Sequence, residues 1–247
     1  MSRGKFLIGT VGGIAGTIAG ITGIIWSVTY AQLLAGLEFY NYLFDYTLII
    51  LWEFKLAADW FSLLLFSLIL ATLLIVSGVL TGAGFYGVYT LEGGGRGLMG
   101  FIAGTIGSIM GVSFVFLGNI LPTSQVRYDM VNYPITNWLP WGEPINSVTY
   151  MHFIKPTVTP NFVFIWFGMA ILAITFILLG STSKSTREIT VNPSISSAAG
   201  TLSILGGLLF FACVPFTIAG WIIFIGFILI SIAFVLWSVV FYSSRES

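Results

Sequence analysis

Apolar residues in this chain occur in long blocks separated by short polar segments, rather than in the short alternations of a soluble domain. A helix needs roughly 20 consecutive apolar residues to cross the hydrocarbon core of a bilayer. By that criterion the pattern predicts six membrane-spanning helices, at about 6–30, 60–81, 97–121, 162–180, 199–214 and 220–242. The second apolar block is long enough to continue to Tyr89.

The last apolar block, residues 199–242, is about twice as long as one span requires. Its middle contains Pro215, which breaks helices, and Gly220. We therefore predict two helices joined by a tight turn. A chain of five spans with a re-entrant segment is the alternative, because the fifth predicted helix is short.

Paired in chain order, six spans form three helical hairpins within one all-α polytopic membrane domain. The first hairpin covers residues 1–92 with an outer loop at 31–59, the second covers 93–198 with an outer loop at 122–160, and the third covers 199–247. The polar segment at 181–198 is typical of a solvated linker.

Two of the predicted spans share a glycine-rich sequence. Residues 9–23 and 97–111 are identical at nine of fifteen positions, and residues 199–207 match the second copy at four positions. Internal duplication explains this match, and chance similarity among small residues is the alternative. Glycines spaced by three and four form a smooth stripe that lets membrane helices approach closely, either each other or their neighbours. We predict helix-packing contacts at Gly9, Gly13, Gly16, Gly20, Gly23, Gly97, Gly100, Gly104, Gly107, Gly111, Gly200 and Gly207.

The two outer loops are rich in aromatic residues. Between residues 40 and 56, apolar residues occupy the even positions and polar residues most of the odd ones, which favours a strand. A helix also fits in part, because Glu38, Asn41 and Asp45 share a helical face. The second loop contains two short strand-like runs. We predict a small extracytoplasmic cap from both loops, with β structure favoured, and interactions at Tyr40, Tyr42, Trp52, Trp138 and Trp141.

Composition supports a membrane location and excludes several function classes. Asp, Glu, Lys and Arg make up 7% of the 247 residues, against roughly 25% in a soluble domain. Nine basic and nine acidic residues provide no cationic field for nucleic acid. A single cysteine, Cys213, excludes an internal disulfide, and a single histidine, His152, excludes a multi-histidine metal centre.

The distribution of Lys and Arg predicts the orientation of the chain. One side of the six-span topology carries Arg3, Lys5, Arg96, Lys184, Arg187 and Arg245, and the other carries Lys55, Arg127 and Lys155. Because the more cationic side stays in the cytoplasm, we predict a multi-pass protein of the cell membrane with both termini cytoplasmic. The first apolar run is longer than that of a signal peptide, so we expect a retained helix.

The cores of the predicted spans contain no Asp, Glu, Lys, Arg or His. Such intramembrane groups are typical of transporters, proton relays and pumps. His152 has no second His or Cys near it in the sequence, and Cys213 is most simply a small apolar residue. Enzymes need groups that move protons or bind a metal. We therefore predict no catalytic residue, no cofactor and no metal, and we expect that the protein is not an enzyme.

Three functions are compatible with this sequence. The favoured hypothesis is a non-catalytic integral membrane subunit that packs and stabilises a larger membrane complex through its glycine-rich helix faces and aromatic outer loops. The second is a channel or carrier for a neutral solute, lined by hydroxyl groups and backbone. The third is a self-associating structural protein of a membrane or envelope. The expected partners are the lipid bilayer and other membrane subunits or further copies of the chain.

Overall fold

The computed structural model describes residues 2–40, 46–92, 95–121, 123–130, 152–159, 161–213 and 217–246. Six helical segments within these ranges are long and apolar enough to span a membrane. They are α1 (Ser2–Tyr40), α2 (Tyr46–Glu92), a third span, α5 (Phe162–Ser185), α6 (Pro193–Phe210) and α7 (Thr217–Glu246). The third span consists of α3 (Arg96–Ile102), a π-helical segment (Ala103–Gly107) and α4 (Ser108–Ile120). The prediction of six helices of spanning length and composition is confirmed, and α6 and α7 are separate helices.

The six spans form a closed ring in chain order. Each span packs against the next, and α7 returns to pack against α1. The packing is antiparallel: near the start of α1, Gly9 lies beside Phe241 of α7, whereas Ala31 near its other end lies beside Gly220. This up-and-down arrangement brings the beginning of α1 and the end of α7 to the same end of the ring.

The predicted outer loop at 31–59 is largely helical. α1 continues to Tyr40 and α2 begins at Tyr46, so the strand favoured over 40–56 is wrong for residues 46–56. Residues 41–45 lie outside the described ranges. Extending an existing helix adds one hydrogen bond per residue without a new nucleation step. The two extensions also pack together, since Leu56 lies where a Cβ atom on Gly36 would stand.

A pair of antiparallel strands follows the third span. In β1 (Thr123–Met130) and β2 (His152–Thr159), Thr123 lies opposite Thr159 and Met130 lies opposite His152. Both strands come from the second predicted loop, whereas the described part of the first loop is helical. The predicted sheet therefore does not include residues 46–56, and the extracytoplasmic cap itself stays a prediction.

The segment at 181–198 is shorter and more ordered than a solvated linker. α5 runs to Ser185, a 3-10 turn follows, and α6 already begins at Pro193. Proline suits the first turn of a helix, where its missing N–H has no partner to lose. Thr186 and Thr190, in the connection itself, are buried. The two helices consequently meet at a packed corner.

Candidate functional site: the glycine-lined ring

The glycine face of α1 receives side chains from α7. Gly13, Gly16, Gly20 and Gly23 lie in turn against Ser238, Phe234, Ser231 and Phe227. The Phe227 and Phe234 rings occupy the space in which Cβ atoms on the facing glycines would stand. Gly9, further toward the N-terminus, contacts Gly84 of α2 as well as Phe241. The stripe therefore forms a continuous groove that is filled by one neighbouring helix over most of its length.

The matching glycine face of the third span changes its partner halfway along. In the first half of the span, Gly97 lies against Phe85 of α2 and Gly104 lies against Gly78 of α2. Gly100 lies between Phe85 of α2 and Thr182 of α5. Further along, Gly107 lies against Thr175 and Gly111 against Leu172, both of α5. The approach to α2 is a backbone contact, since a Cβ atom on Gly104 would stand 2.7 Å from the Gly78 carbonyl oxygen. The change of partner falls at the π-helical segment.

The remaining predicted glycines lie between α5 and α6. A Cβ atom on Gly200 would stand 2.5 Å from the Gly180 carbonyl oxygen, and one on Gly207 would stand 2.8 Å from that of Ala173. At all twelve predicted packing positions, the neighbour is another helix of this chain. These faces are therefore occupied within the protein, and a partner helix has no room on them.

Hydroxyl groups in the ring are bonded mostly to their own helices. Thr10, for example, donates to the Phe6 carbonyl oxygen at 2.9 Å. Two bonds join separate helices at mid-span: Ser203 Oγ donates to the Phe176 carbonyl oxygen at 2.7 Å, and Trp26 Nε1 donates to Ser67 Oγ at 2.7 Å. Ser67 in turn donates to the Leu63 carbonyl oxygen. Such hydroxyls offer few free groups to a passing solute.

A small cavity lies in the middle of the ring, bounded by residues of five spans. Its walls include Trp26, Ser67, Val115, Met169 and Phe227. Its volume is about 10 Å³, and a single buried water needs about 10–15 Å³. Side chains of the described residues thus fill the centre of the ring around this cavity.

Within the described spanning helices, the charged side chains lie near the ends of the spans. The Lys5 ammonium stands 4.2 Å from the centre of the Tyr86 ring, and Lys55 pairs with Asp59 at 2.6 Å. The Arg96 guanidinium donates to the Ser185 carbonyl oxygen at 3.1 Å. Within the described ranges, the structure contains no group of three His, Cys, Asp or Glu residues placed to hold a metal.

The two residues considered as lone ligands lie apart. His152 begins β2, and Cys213 is buried in the turn after α6. Burial raises the pKa of the Cys213 thiol to about 12. The thiol is therefore protonated at neutral pH, where it is a poor nucleophile and a poor metal ligand.

The aromatic residues predicted to make outer interactions are only partly within the described ranges. Tyr40 is the last residue of α1, and Trp52 lies in the first turns of α2. Tyr42, Trp138 and Trp141 lie outside those ranges. Their interactions stay a prediction.

Sequence reasoning missed a hydrogen-bonded corner that joins α5, α6 and α7. The Ser183 hydroxyl donates to the Ser196 carbonyl oxygen at 2.8 Å, and the Ser196 hydroxyl donates to the Ser183 carbonyl oxygen at 2.9 Å. The Trp237 Nε1 donates to Ser183 Oγ at 3.0 Å. Small polar residues flank both sides of the connection in the sequence, and nothing in their spacing distinguishes these two serines from their neighbours.

Comparison with known proteins adds no family assignment: the chain matches no protein-family model, no curated protein and no solved structure.

Proposed function

We propose that this protein is a non-catalytic integral membrane subunit that stabilises a larger membrane complex. The observation that carries the proposal is the chemistry of the ring interior. Glycine, apolar and hydroxyl side chains fill it, and the described ionisable groups lie near the span ends. Moving protons or ions through a membrane typically uses ionisable groups inside the spans. A ring so packed serves best as a scaffold.

Partner contacts in this proposal fall on the outer surface of the ring and on the outer segments. The glycine faces are already occupied by the chain's own helices. Large apolar side chains remain exposed around the perimeter, among them Phe61, Val163 and Ile218. Lipid covers most of such a surface, and a partner helix covers part of it. Trp138 and Trp141 are candidates for partner contacts beyond the membrane, because tryptophan is enriched at protein interfaces and at membrane–water boundaries.

The test is extraction of the native protein in mild detergent, followed by mass spectrometry of what co-purifies at fixed stoichiometry. We expect at least one other membrane protein at a constant ratio across two detergents. A double variant, Trp138→Ala with Trp141→Ala, should lower that ratio at least threefold. The variant Glu188→Ala changes an exposed side chain in the connection between α5 and α6, off the perimeter of the spans, and should leave the ratio unchanged.

Two other results would replace the proposal. A protein that purifies alone and conducts a neutral solute when it is the sole component of liposomes would be a carrier or channel. A protein that purifies alone and assembles into ordered arrays of identical chains would be a structural protein of the membrane. Either outcome would contradict an accessory role, because an accessory subunit requires a different partner chain.

A further inference from the structure

One short sequence adopts two backbone conformations in this protein. Residues 14–18 and 102–106 both read Ile-Ala-Gly-Thr-Ile. The first copy lies within the continuous α-helix α1, whereas the second copy enters the π-helical segment Ala103–Gly107 after its first residue. Because identical residues form both structures, the local sequence does not impose the π-helix. The packing around the third span does.

The threonines of the two copies show what the π-helical segment changes. In α1, the Thr17 hydroxyl donates to the carbonyl oxygen of Gly13, four residues earlier, at 2.9 Å. In the third span, the buried hydroxyl oxygen of the matching Thr105 has no hydrogen-bond partner. A second unpartnered hydroxyl, that of Thr81, is fully buried on the neighbouring α2. The π-helical state thus leaves buried hydrogen-bonding capacity unused.

The same segment also determines which neighbour the glycines of the third span meet. An unbroken α-helix would place Gly104, Gly107 and Gly111 on one face, as α1 places the matching Gly16 and Gly23 toward α7. A π turn holds one residue more than an α turn, and one residue corresponds to a rotation of about 100° around the axis. Accordingly, Gly104 meets α2 while Gly107 and Gly111 meet α5.

We propose that the π-helical segment is a rotational switch within the third span. In its second state, residues 103–107 become α-helical, and α4 turns about its axis by about 100° relative to α3. Gly107 and Gly111 then leave α5 and move to the side that faces α2. The glycines clear the path at their own positions, and the side chains of Val112 and Val115, which are buried in the present state, must repack against new neighbours as α4 turns. Mid-helix π segments are frequent at functional sites.

Single-residue deletions test whether the segment holds one surplus residue. Deleting Ala103 removes that residue and leaves the helices on both sides in their present orientation. Deleting the matching Ala15 from the continuous α1 instead rotates half of that helix away from α7. Thermal unfolding is followed with a thiol-reactive dye at the buried Cys213. We expect the Ala103 deletion to change Tm by less than about 5 °C and the Ala15 deletion to lower it by more than about 10 °C.

A fluorine label then tests for the second state. Met110, just beyond the segment, is half exposed on the outer face, and a trifluoromethyl group is attached there in a Met110→Cys, Cys213→Ala protein. We expect two fluorine NMR resonances in the full-length chain and one in the chain that also lacks Ala103. A single resonance in the full-length chain would overturn the switch. If deletion of Ala103 lowers Tm as much as deletion of Ala15, the segment holds no surplus residue and the switch is contradicted.

Discussion

At Gly16 a side chain on α1 would meet a rigid aromatic ring of α7. A Cβ atom there would overlap the ring of Phe234, which is itself buried by its neighbours. The variant Gly16→Leu should therefore lower the free energy of unfolding by about 3 kcal/mol or more, since overpacking a filled interior typically costs about 1–3 kcal/mol and here no flexible group yields. Thermal unfolding in detergent, monitored at Cys213, measures the change.

The control for this prediction lies in the same helix. Gly4 has nothing within 4 Å of the position of a Cβ atom. Gly4→Leu makes the same chemical change in open space, so its effect on stability should stay within about 0.5 kcal/mol. Equal losses of stability in the two variants would show that helix backbone preference, rather than contact with Phe234, determines the result.

Among the elements, the corner between α5 and α6 depends on one hydroxyl. Ser183 accepts the indole N–H of Trp237 and bonds to Ser196, so it links three helices. Ser183→Ala should lower the free energy of unfolding by about 1–3 kcal/mol, because it leaves a buried indole N–H without a partner. The matched control is Ser185→Ala, whose hydroxyl donates only within its own helix, to the Thr182 carbonyl oxygen at 3.0 Å. If Ser185→Ala lowers the free energy of unfolding as much as Ser183→Ala does, the Ser183 hydroxyl does not have the linking role assigned to it.

The elements also show where prediction from the sequence succeeds and where it stops. Long apolar blocks and the Pro215 break were sufficient to predict six spans and the separation of α6 from α7. The helical start of α2 was not predictable from its alternating pattern, because contact with the end of α1 outweighs local preference there. The π-helical segment was not predictable either, since the same residues are α-helical in α1.

The sequence predicted the candidate site as a set of glycine contacts but did not predict the neighbours of those glycines. Gly13 lies against α7 and Gly200 against α5, and the role of the glycine stripes in holding the fold together stays a prediction. The ring closes because α7 packs against α1. This closure determines which helix lies against each glycine stripe, and no pattern within a single span predicts it. Under the proposed function, a partner chain would therefore bind on the outer surface of the ring.

At the scale of the whole molecule, the distribution of charge predicts the orientation in the membrane. Lys5, Arg96 and Lys184 lie at the end of the ring where α1 begins and α7 ends. Lys55 lies at the opposite end and pairs with Asp59. Lysine and arginine residues near short connections are retained in the cytoplasm during insertion. We therefore expect both termini to be cytoplasmic and the segment between β1 and β2 to be outside.

Single cysteines in a Cys213→Ala background measure this orientation. A membrane-impermeant maleimide applied to intact cells should label Ser147→Cys, between the two strands, within minutes. It should label Ser2→Cys only after the membrane is permeabilised. Because six spans place the two termini on the same side, a cysteine at Ser247 must behave like the one at Ser2. Labelling of Ser2→Cys in intact cells would reverse the orientation, and different behaviour of the two terminal cysteines would contradict the six-span topology itself.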